Sequence, residues 1–300
     1  MKNRKLFGTL CGIGAAVCYG TNPLGALKLY GEGMDTASVL FYRFGIAWLI
    51  ITAVLLFRKD QFKVTWREFG ILTMLGILFS ASSLTLYLSF HKMAAGVAST
   101  ILFTYPVMTA VIMTCFFKEK NGWITWSSIL LSMVGVALLC WDGNGNTLNI
   151  LGVILVLISA LSYALYIIVV DRGKLQMSSF KINFYVLFYC TLTMYLFSLI
   201  SNTPIQLPPT PTSWFYVGWL AFVPAIFALV LMVYAAKNVG STTTAILGAL
   251  EPLTAVLIGI LVFNEAFSPR LALGIVLILS AVILISLKKK TSNTTTPPAE

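Results

Sequence analysis

Two charged side chains fall inside apolar segments of this sequence and are the groups best placed to do chemistry. Glu251 stands in the stretch LEPLTAVLIGILVFNE (250–265), and Arg43 stands in the apolar segment 36–57. Burying a carboxylate or a guanidinium in an apolar environment is costly unless the group is neutralised, paired or in contact with water. Both residues are therefore candidates for substrate binding or proton transfer.

Glu251 has two interpretations on sequence grounds. Helix rise places it about 14 Å from the start of its segment, near the middle of a bilayer. There it can bind a proton or form hydrogen bonds with a substrate. Alternatively, it is a structural acid that satisfies backbone groups left free by its neighbour Pro252, which has no N–H.

Arg43 keeps its positive charge under all physiological conditions and must find a partner or water. It can attract a substrate carboxylate, or reach toward Glu251 with its long side chain. In the alternative interpretation it extends toward the outer lipid headgroups.

Polar and aromatic residues recur in the middle of the apolar segments. A cavity for an organic zwitterion needs apolar walls with a few hydrogen-bonding groups, and tyrosine supplies both. For each of these residues the alternative is simple helix packing. The further candidates for substrate binding are Tyr19, Asn22, Ser82, Tyr87, Tyr105, Tyr163 and Tyr166.

The composition indicates which elements must position these groups. Hydrophobic residues make up 58% of the chain and charged residues 10%, whereas a soluble domain carries roughly 25% charged residues. The apolar segments are long enough to cross a bilayer as helices, which takes about 20 residues each. We predict an all-α membrane protein with ten transmembrane helices, at 6–26, 36–57, 68–90, 97–117, 123–141, 150–170, 180–200, 214–236, 242–263 and 270–287.

The distribution of charge predicts an orientation. The connections on one side of the membrane hold most of the lysines and arginines, whereas the other side has Lys28, Lys92 and Arg270. By the positive-inside rule, both termini face the cytoplasm of a bacterial cell, and the chain is multi-pass in its cytoplasmic membrane. The net charge of +10 therefore indicates a lipid bilayer as partner and not nucleic acid.

Motifs for other chemistry are missing from the sequence. The five cysteines form no CxxC pair, and no HExxH, GxSxG or GxxxxGK[ST] pattern occurs. We predict no enzyme activity, no cofactor and no metal site. The sequence is compatible with a monomer but does not determine the oligomeric state.

A repeated spacing divides the chain in two. Glu119 follows Pro106 by thirteen residues, and Glu265 follows Pro252 by the same number. This predicts two five-helix repeats, 1–145 and 146–290, before a disordered tail at 291–300. Because five is odd, the second repeat is inverted in the membrane, a plan found in secondary transporters. The paired prolines Pro106 and Pro252 are predicted to bend their helices, and Tyr105 takes the place of Glu251 in the first repeat.

Taken together, these features resemble paired EamA domains of the drug/metabolite transporter superfamily. The resemblance rests on LEPLTAVLIGILVFNE, on its partner around Pro106 and Glu119, and on the helices AAVCYGTNP and SALSYALYIIVVDR. It implies alternating access around a central cavity, and export of amino acids or related small metabolites. The alternatives are a nucleotide-sugar or drug carrier of the same superfamily, or a membrane-embedded lipid-modifying enzyme.

Overall fold

The computed structural model describes residues 2–58, 62–117, 123–140, 149–173, 175–239, 244, 247–265 and 268–293. All regular structure in these ranges is helical. The first half of the chain forms α1 (Lys2–Gly20), α2 (Asn22–Gly31), α3 (Thr36–Phe57), α4 (Trp66–Ser89), α5 (Ala95–Leu102), α6 (Tyr105–Phe117) and α7 (Trp123–Cys140). The second half forms α8 (Ile150–Gly173), α9 (Ser179–Ile200), α10 (Pro211–Phe222), a π-helical turn (Val223–Phe227), α11 (Ala228–Val239), α12 (Leu250–Phe263) and α13 (Pro269–Asn293).

The protein is a multi-pass membrane protein. Seven helical stretches in the described residues are long and apolar enough to cross a bilayer, and three shorter apolar helices accompany them. Each of the ten predicted segments contains one of these helices. The shorter ones are Trp126–Leu138, Leu250–Phe263 and Pro269–Leu284.

Side-chain caps fix where several helices begin. Asp35 accepts a hydrogen bond from the Ser38 N–H at the start of α3, at 2.6 Å. Thr65 and Glu68 form a reciprocal capping box at the start of α4. Such caps satisfy N–H groups that have no partner within the helix, and an apolar surrounding would make those groups costly to leave unpaired.

Two of the predicted helices are broken, which the apolar pattern did not indicate. The predicted segment 6–26 divides into α1 and α2 at Thr21, and 97–117 divides into α5 and α6 after Leu102. In each case a proline, Pro23 or Pro106, is the second residue of the new helix. A proline there costs little, because its missing N–H would have had no helical partner.

Pro224 is accommodated differently. The Val223 N–H still bonds to the Trp219 oxygen four residues back, whereas the Ala228 N–H bonds to the Val223 oxygen five residues back. This π-helical turn changes the hydrogen-bond register at the residue that lacks a donor. The helix therefore continues into α11 where an α-helical proline would remove a bond.

The most extensive helix contacts join the two halves of the chain. They pair α7 with α13, α4 with α8, α1 with α11, α3 with α9, α4 with α9, and α5 with α12. Glycines permit close approaches between helices. A Cβ at Gly12 would lie 2.5 Å from the Leu247 side chain, and one at Gly20 would lie 2.7 Å from the Glu251 carbonyl oxygen.

Three predicted features fall outside the described residues or only partly within them. Glu119 and the predicted repeat boundary at 145/146 lie outside. Of the predicted tail 291–300, residues 291–293 continue α13 and the others lie outside. Glu119 is therefore not compared with Glu265.

Candidate functional site

A small cavity lies between helices of both halves of the chain. Its volume is about 110 Å³, and its wall combines charged, polar and aromatic side chains. The lining comes from α1, α3, α4, α8, α9, the π-helical turn and α11. The lining residues that carry a polar group are Tyr19, Arg43, Tyr163, Tyr166 and Asn183.

Arg43 is the charged group on this wall. It lies in the second turn of α3, and its side chain is only 7% exposed. Its Nη1 donates to the Tyr87 hydroxyl at 2.6 Å, while its Nε is buried without a hydrogen-bond partner. The guanidinium also lies over the rings of Phe44 and Tyr87, at 5.5 and 5.4 Å from their centroids.

Tyr87 and Asn22 stand behind Arg43 and do not line the cavity. Tyr87 is 1% exposed, and its hydroxyl lies 3.4 Å from the Asn22 Oδ1, to which it donates. Because the hydroxyl accepts from Arg43 and donates to Asn22, the three side chains form one chain of hydrogen bonds. This chain of hydrogen bonds fixes the direction of the guanidinium.

An aromatic cluster surrounds the other side of the cavity. Tyr163 and Tyr166 stack with ring centroids 5.8 Å apart. Tyr105 meets Tyr163 edge-on at 4.7 Å, and Phe79 lies 5.3 Å from Tyr166. Such rings give an apolar wall whose faces carry partial negative charge and attract cations.

Glu251 lies beside this aromatic cluster, in the first turn of α12. Its side chain is half-buried, and its charge interacts electrostatically with Tyr19, Tyr105, Tyr163 and Arg43. Within the described residues, no hydrogen bond to its carboxylate is present, and it forms no ion pair with Arg43 within 4.0 Å. No backbone N–H of the described residues near Pro252 therefore holds it.

Ser82, the remaining sequence candidate, is placed elsewhere. Its hydroxyl lies 3.1 Å from that of Ser159, which also donates to the Ser82 carbonyl at 2.7 Å. Both serines are buried between α4 and α8. The geometry gives Ser82 a helix-packing contact and no place on the cavity wall.

Sequence reasoning missed three polar or aromatic residues of the wall. Asn183 is a polar amide in the second turn of α9, and Phe44 and Phe79 supply aromatic surface. The signal for Asn183 is an uncharged amide inside an otherwise apolar helix. Nothing in the sequence marks the two phenylalanines, since many such residues face lipid.

The larger groove of the protein is not the polar site. A space of about 690 Å³ lies between α6, α7 and α8, and its lining is almost wholly aliphatic. Thr104 and Ser132 are its polar residues. A serine or threonine hydroxyl can donate a hydrogen bond to a backbone carbonyl one turn back in its own chain. The smaller cavity has the chemistry that orients a polar ligand, whereas the groove offers surface to acyl chains.

The arrangement places groups of opposite charge around an apolar space. A fixed cation and an unpaired carboxylate flank an aromatic wall, which matches the opposite charges of a zwitterion. Within the described part of the chain, no group of three or more His, Cys, Asp or Glu residues could hold a metal ion.

The sequence was compared with known protein families. Residues 6–141 and 150–287 each match the EamA-like transporter family. The chain belongs to this family. The resemblance inferred from the proline–glutamate motifs is thus confirmed, and this EamA-like protein is placed among membrane transporters.

Relatives of this EamA-like protein are transporters whose substrates their names do not state. An uncharacterized transporter of Clostridium kluyveri is 23% identical over 290 residues, which cover 93% of each protein. The uncharacterized inner membrane transporter YedA of Escherichia coli K12 is 25% identical over 252 residues, covering 82% of this chain and 80% of YedA.

A solved structure shares the fold. A crystal structure with 16% sequence identity matches with a TM-score of 0.67 and covers 95% of this chain and 98% of its own. At this identity the similarity concerns the fold alone.

Proposed function

We propose that this EamA-like protein is a secondary transporter that exports amino acids or related zwitterionic metabolites by alternating access. The substrate carboxylate binds Arg43, and the substrate ammonium lies between Glu251 and the tyrosines. Tyr19, Tyr163 and Tyr166 form the wall around it, and Tyr105 packs against Tyr163 beside that wall. Tyr87 and Asn22 orient Arg43, and Ser82 holds the neighbouring helices together.

The buried, incompletely satisfied guanidinium carries this proposal. Arg43 has no carboxylate within ion-pair distance among the described residues, and its Nε lacks a partner. An unpaired buried charge is strongly destabilising, so a fixed cation on a cavity wall is most easily explained by an anionic ligand. A carboxylate can accept from Nε and a terminal nitrogen together, which is the favoured geometry for guanidinium.

Glu251 supports the second half of the proposal. Its carboxylate has no hydrogen bond from the described residues and interacts electrostatically with three tyrosines, Tyr19, Tyr105 and Tyr163. An ammonium group there gains both the carboxylate and the aromatic faces. Its lack of a backbone partner favours a role in binding over the structural role near Pro252.

Helix pairing supports alternating access between inverted repeats 1–145 and 146–290. In this plan each helix of one repeat has a counterpart in the other. The contact between α4 and α8 then predicts one between α11 and α1, and the contact between α4 and α9 predicts one between α10 and α3. Both counterparts are present. Such pseudo-two-fold pairing allows the two repeats to exchange conformations around a central site. Pro106 lies in the first turn of α6 and Pro252 in the first turn of α12, and these two prolines are the points of bending.

The size and charge of the cavity weigh against the rival carriers. A nucleotide-sugar diphosphate needs several cations, and Arg43 is the one cation on the described wall. A cavity of about 110 Å³ is also below the roughly 300 Å³ expected for drug-sized ligands. A lipid-modifying enzyme would need a reactive or metal-binding cluster, and the wall offers neither.

Exchange in proteoliposomes tests the substrate class. Vesicles containing the purified protein are loaded with unlabelled amino acids, and entry of each labelled amino acid is measured. The wild type is expected to exchange one or more of them. Arg43→Gln should weaken their apparent affinity by about 10- to 100-fold, because a charge-assisted pair to the carboxylate is lost.

Arg270→Gln is the matched control, since it removes an exposed arginine at the start of α13 and should exchange normally. Methyl esters of the substrates provide the complementary test, because they lack the carboxylate charge. If Arg43→Gln discriminates acid from ester as well as the wild type does, the carboxylate does not bind Arg43. Export is tested in cells, where overproduction should raise the external concentration of the same amino acids.

A further inference from the structure

A second charged surface lies away from the cavity, where α3 ends and α4 and α9 begin. Arg58 follows α3, Lys63 lies in the connection to α4, and Arg67 and Lys181 lie in the first turns of α4 and α9. We call this surface the α3–α4–α9 corner. Glu68 is the one carboxylate in its described segments 58, 62–69 and 178–185.

Specific contacts hold the cations of the corner in place. The Arg58 guanidinium lies over the Phe180 ring at 5.3 Å from its centroid. The Lys181 ammonium donates to the Lys63 carbonyl at 2.6 Å. The Tyr185 hydroxyl of α9 also donates to the Phe62 carbonyl, so the connection is fixed on α9. Two of the four positive charges, on Arg58 and Lys181, are therefore held in place and keep a fixed positive field beside the exposed Lys63 and Arg67.

Glu68, the acid in the described segments of the corner, does not neutralise the basic side chains there. The Glu68 carboxylate accepts from the N–H and the hydroxyl of Thr65, at 2.8 and 2.9 Å, and so serves the helix cap. The amino-terminal ends of α4 and α9 add their partial positive charge to the four side chains.

Aromatic side chains place the corner at the membrane surface. Phe57 is 90% exposed and Trp66 is 88% exposed on either side of the basic connection. Exposed aromatic rings concentrate at the level of the lipid headgroups. The apolar faces of α3 and α4 below them, with Leu56 at 61% and Phe69 at 43% exposure, face the acyl region.

We propose that the α3–α4–α9 corner binds the headgroup of an anionic phospholipid. Its phosphate oxygens accept hydrogen bonds from Lys63 and Arg67, whose side chains are exposed, and the exposed Arg58 and half-buried Lys181 add to the positive charge. Arginine and lysine are the usual phosphate ligands. The acyl chains follow the exposed side chains of Leu56, Phe57 and Phe69. A free phosphate ion would use the cations but leave this apolar surface uncovered, which favours the lipid.

Lipid-dependent stabilisation of the purified full chain tests the proposal. Thermal unfolding and native mass spectrometry are recorded in neutral detergent with phosphatidylglycerol, with phosphatidylcholine of the same acyl chains, or with inorganic phosphate. Phosphatidylglycerol is expected to raise the unfolding temperature and to remain bound at about tenfold lower concentration than phosphatidylcholine. Equal effects of the two lipids, or full stabilisation by inorganic phosphate alone, would refute a site for an anionic lipid.

Paired variants locate the effect. Lys63→Gln/Arg67→Gln removes two exposed cations of the corner, and Lys92→Gln/Arg270→Gln removes two exposed cations elsewhere. The corner variant should lose the preference for phosphatidylglycerol by roughly tenfold, because each cation near a membrane surface contributes to anionic lipid binding. The control variant should keep it, and equal losses in both would show that only net charge matters.

The loss of lipid preference can be distinguished from a failure of the variant to fold. Lys63 supports the fold through its backbone carbonyl, which glutamine retains. If the double variant unfolds, Lys63→Gln alone is measured. A single variant that folds and keeps the full preference contradicts the proposal.

Discussion

At the scale of residues, the side chains that line the cavity differ from those that orient them. Arg43 lies on the wall, and Tyr87 and Asn22 lie behind it in a chain of hydrogen bonds. The fully buried hydroxyl of Tyr87 has no access to the cavity. In the proposed site, Tyr87 contributes to binding by holding the guanidinium in one direction, since a preorganised donor loses less entropy when a ligand binds.

Glu251→Gln tests whether the carboxylate couples transport to protons. Glutamine keeps the size and the hydrogen-bonding groups but fixes the neutral state. We expect the variant to bind substrate more weakly, because the ammonium loses its carboxylate partner, but to exchange substrate across vesicles at saturating concentration about as fast as wild type. It should lose accumulation driven by a pH gradient. Uptake with and without an imposed gradient is the measurement.

Glu68→Gln is the control for this change, because that acid belongs to a helix cap and lies outside the cavity. Loss of exchange and of accumulation together in Glu251→Gln would indicate substrate binding without coupling. A wild type that ignores the pH gradient would identify a passive carrier, and proton coupling by Glu251 would be abandoned.

His91, between α4 and α5, gives the protein a predicted pH dependence. Its ring stacks on Tyr30 at 4.1 Å and its Nε2 lies 3.1 Å from the Thr36 hydroxyl. Burial, and then the charge of Lys92, lower the pKa of His91 below its ordinary value. Folding therefore favours the neutral ring, and this stability is complete above pH about 6.5.

As the pH falls through the lowered pKa, the ring must take up a proton in the folded state and the contribution is lost. The unfolding temperature of the wild type should decrease between pH 7.5 and 5, beyond the decrease in His91→Gln. The effect is small, because the residue is exposed. Parallel pH profiles of the two proteins would show that His91 is not the group responsible.

At the scale of elements, one carboxylate joins the broken fourth helix of the first half to α12 of the second. Glu265 accepts from the Ala95 N–H at 2.8 Å and from the Gly96 N–H at 3.3 Å, at the start of α5. Gly259 makes room for this contact, since a Cβ there would lie 2.1 Å from the Glu265 carboxylate. The second glutamate of the repeated motif is therefore a helix cap supplied from another helix.

Glu265→Gln should destabilise the protein by about 1 kcal/mol, because the amide cannot accept both hydrogen bonds and lacks the charge that favours a helix start. The unfolding temperature would fall by a few degrees. Glu68→Gln is the matched control, since glutamine serves equally well in a capping box. Equal stability of Glu265→Gln and wild type would mean that the cap contributes nothing.

At the scale of the whole molecule, orientation in the membrane follows from charge. The α3–α4–α9 corner and the basic amino terminus are predicted to face the cytoplasm, whereas the connection between α9 and α10 faces outward. We expect Leu207→Cys, at a position 74% exposed, to react with an impermeant maleimide added to whole cells. Lys63→Cys should react only after the cells are opened.

Both variants are made in a chain whose five native cysteines are replaced by alanine. The cysteine-free chain without either new cysteine gives the background level of maleimide labelling. Labelling of Lys63→Cys in intact cells, with protection of Leu207→Cys, would reverse the orientation and the assignment of the corner to the inner leaflet.

The sequence alone determined the membrane class, the helical segments and the family. These depend on properties that are local along the chain, namely the length of apolar runs, the placement of charge and a repeated proline–glutamate spacing. It also marked Arg43 and Glu251, because a charge in an apolar segment is costly wherever the segment packs.

Only the tertiary structure decided which polar residues share a cavity. Ser82 and Tyr163 are both hydroxyl-bearing residues in the middle of apolar segments. Ser82 packs against Ser159 between helices, whereas Tyr163 lies on the cavity wall. Asn183 joins the wall although it is distant from Arg43 in the chain. The helices are apolar on most sides in a membrane protein, so periodicity does not reveal which face is turned inward. That choice depends on contacts between the two halves, including close approaches at glycines such as Gly20.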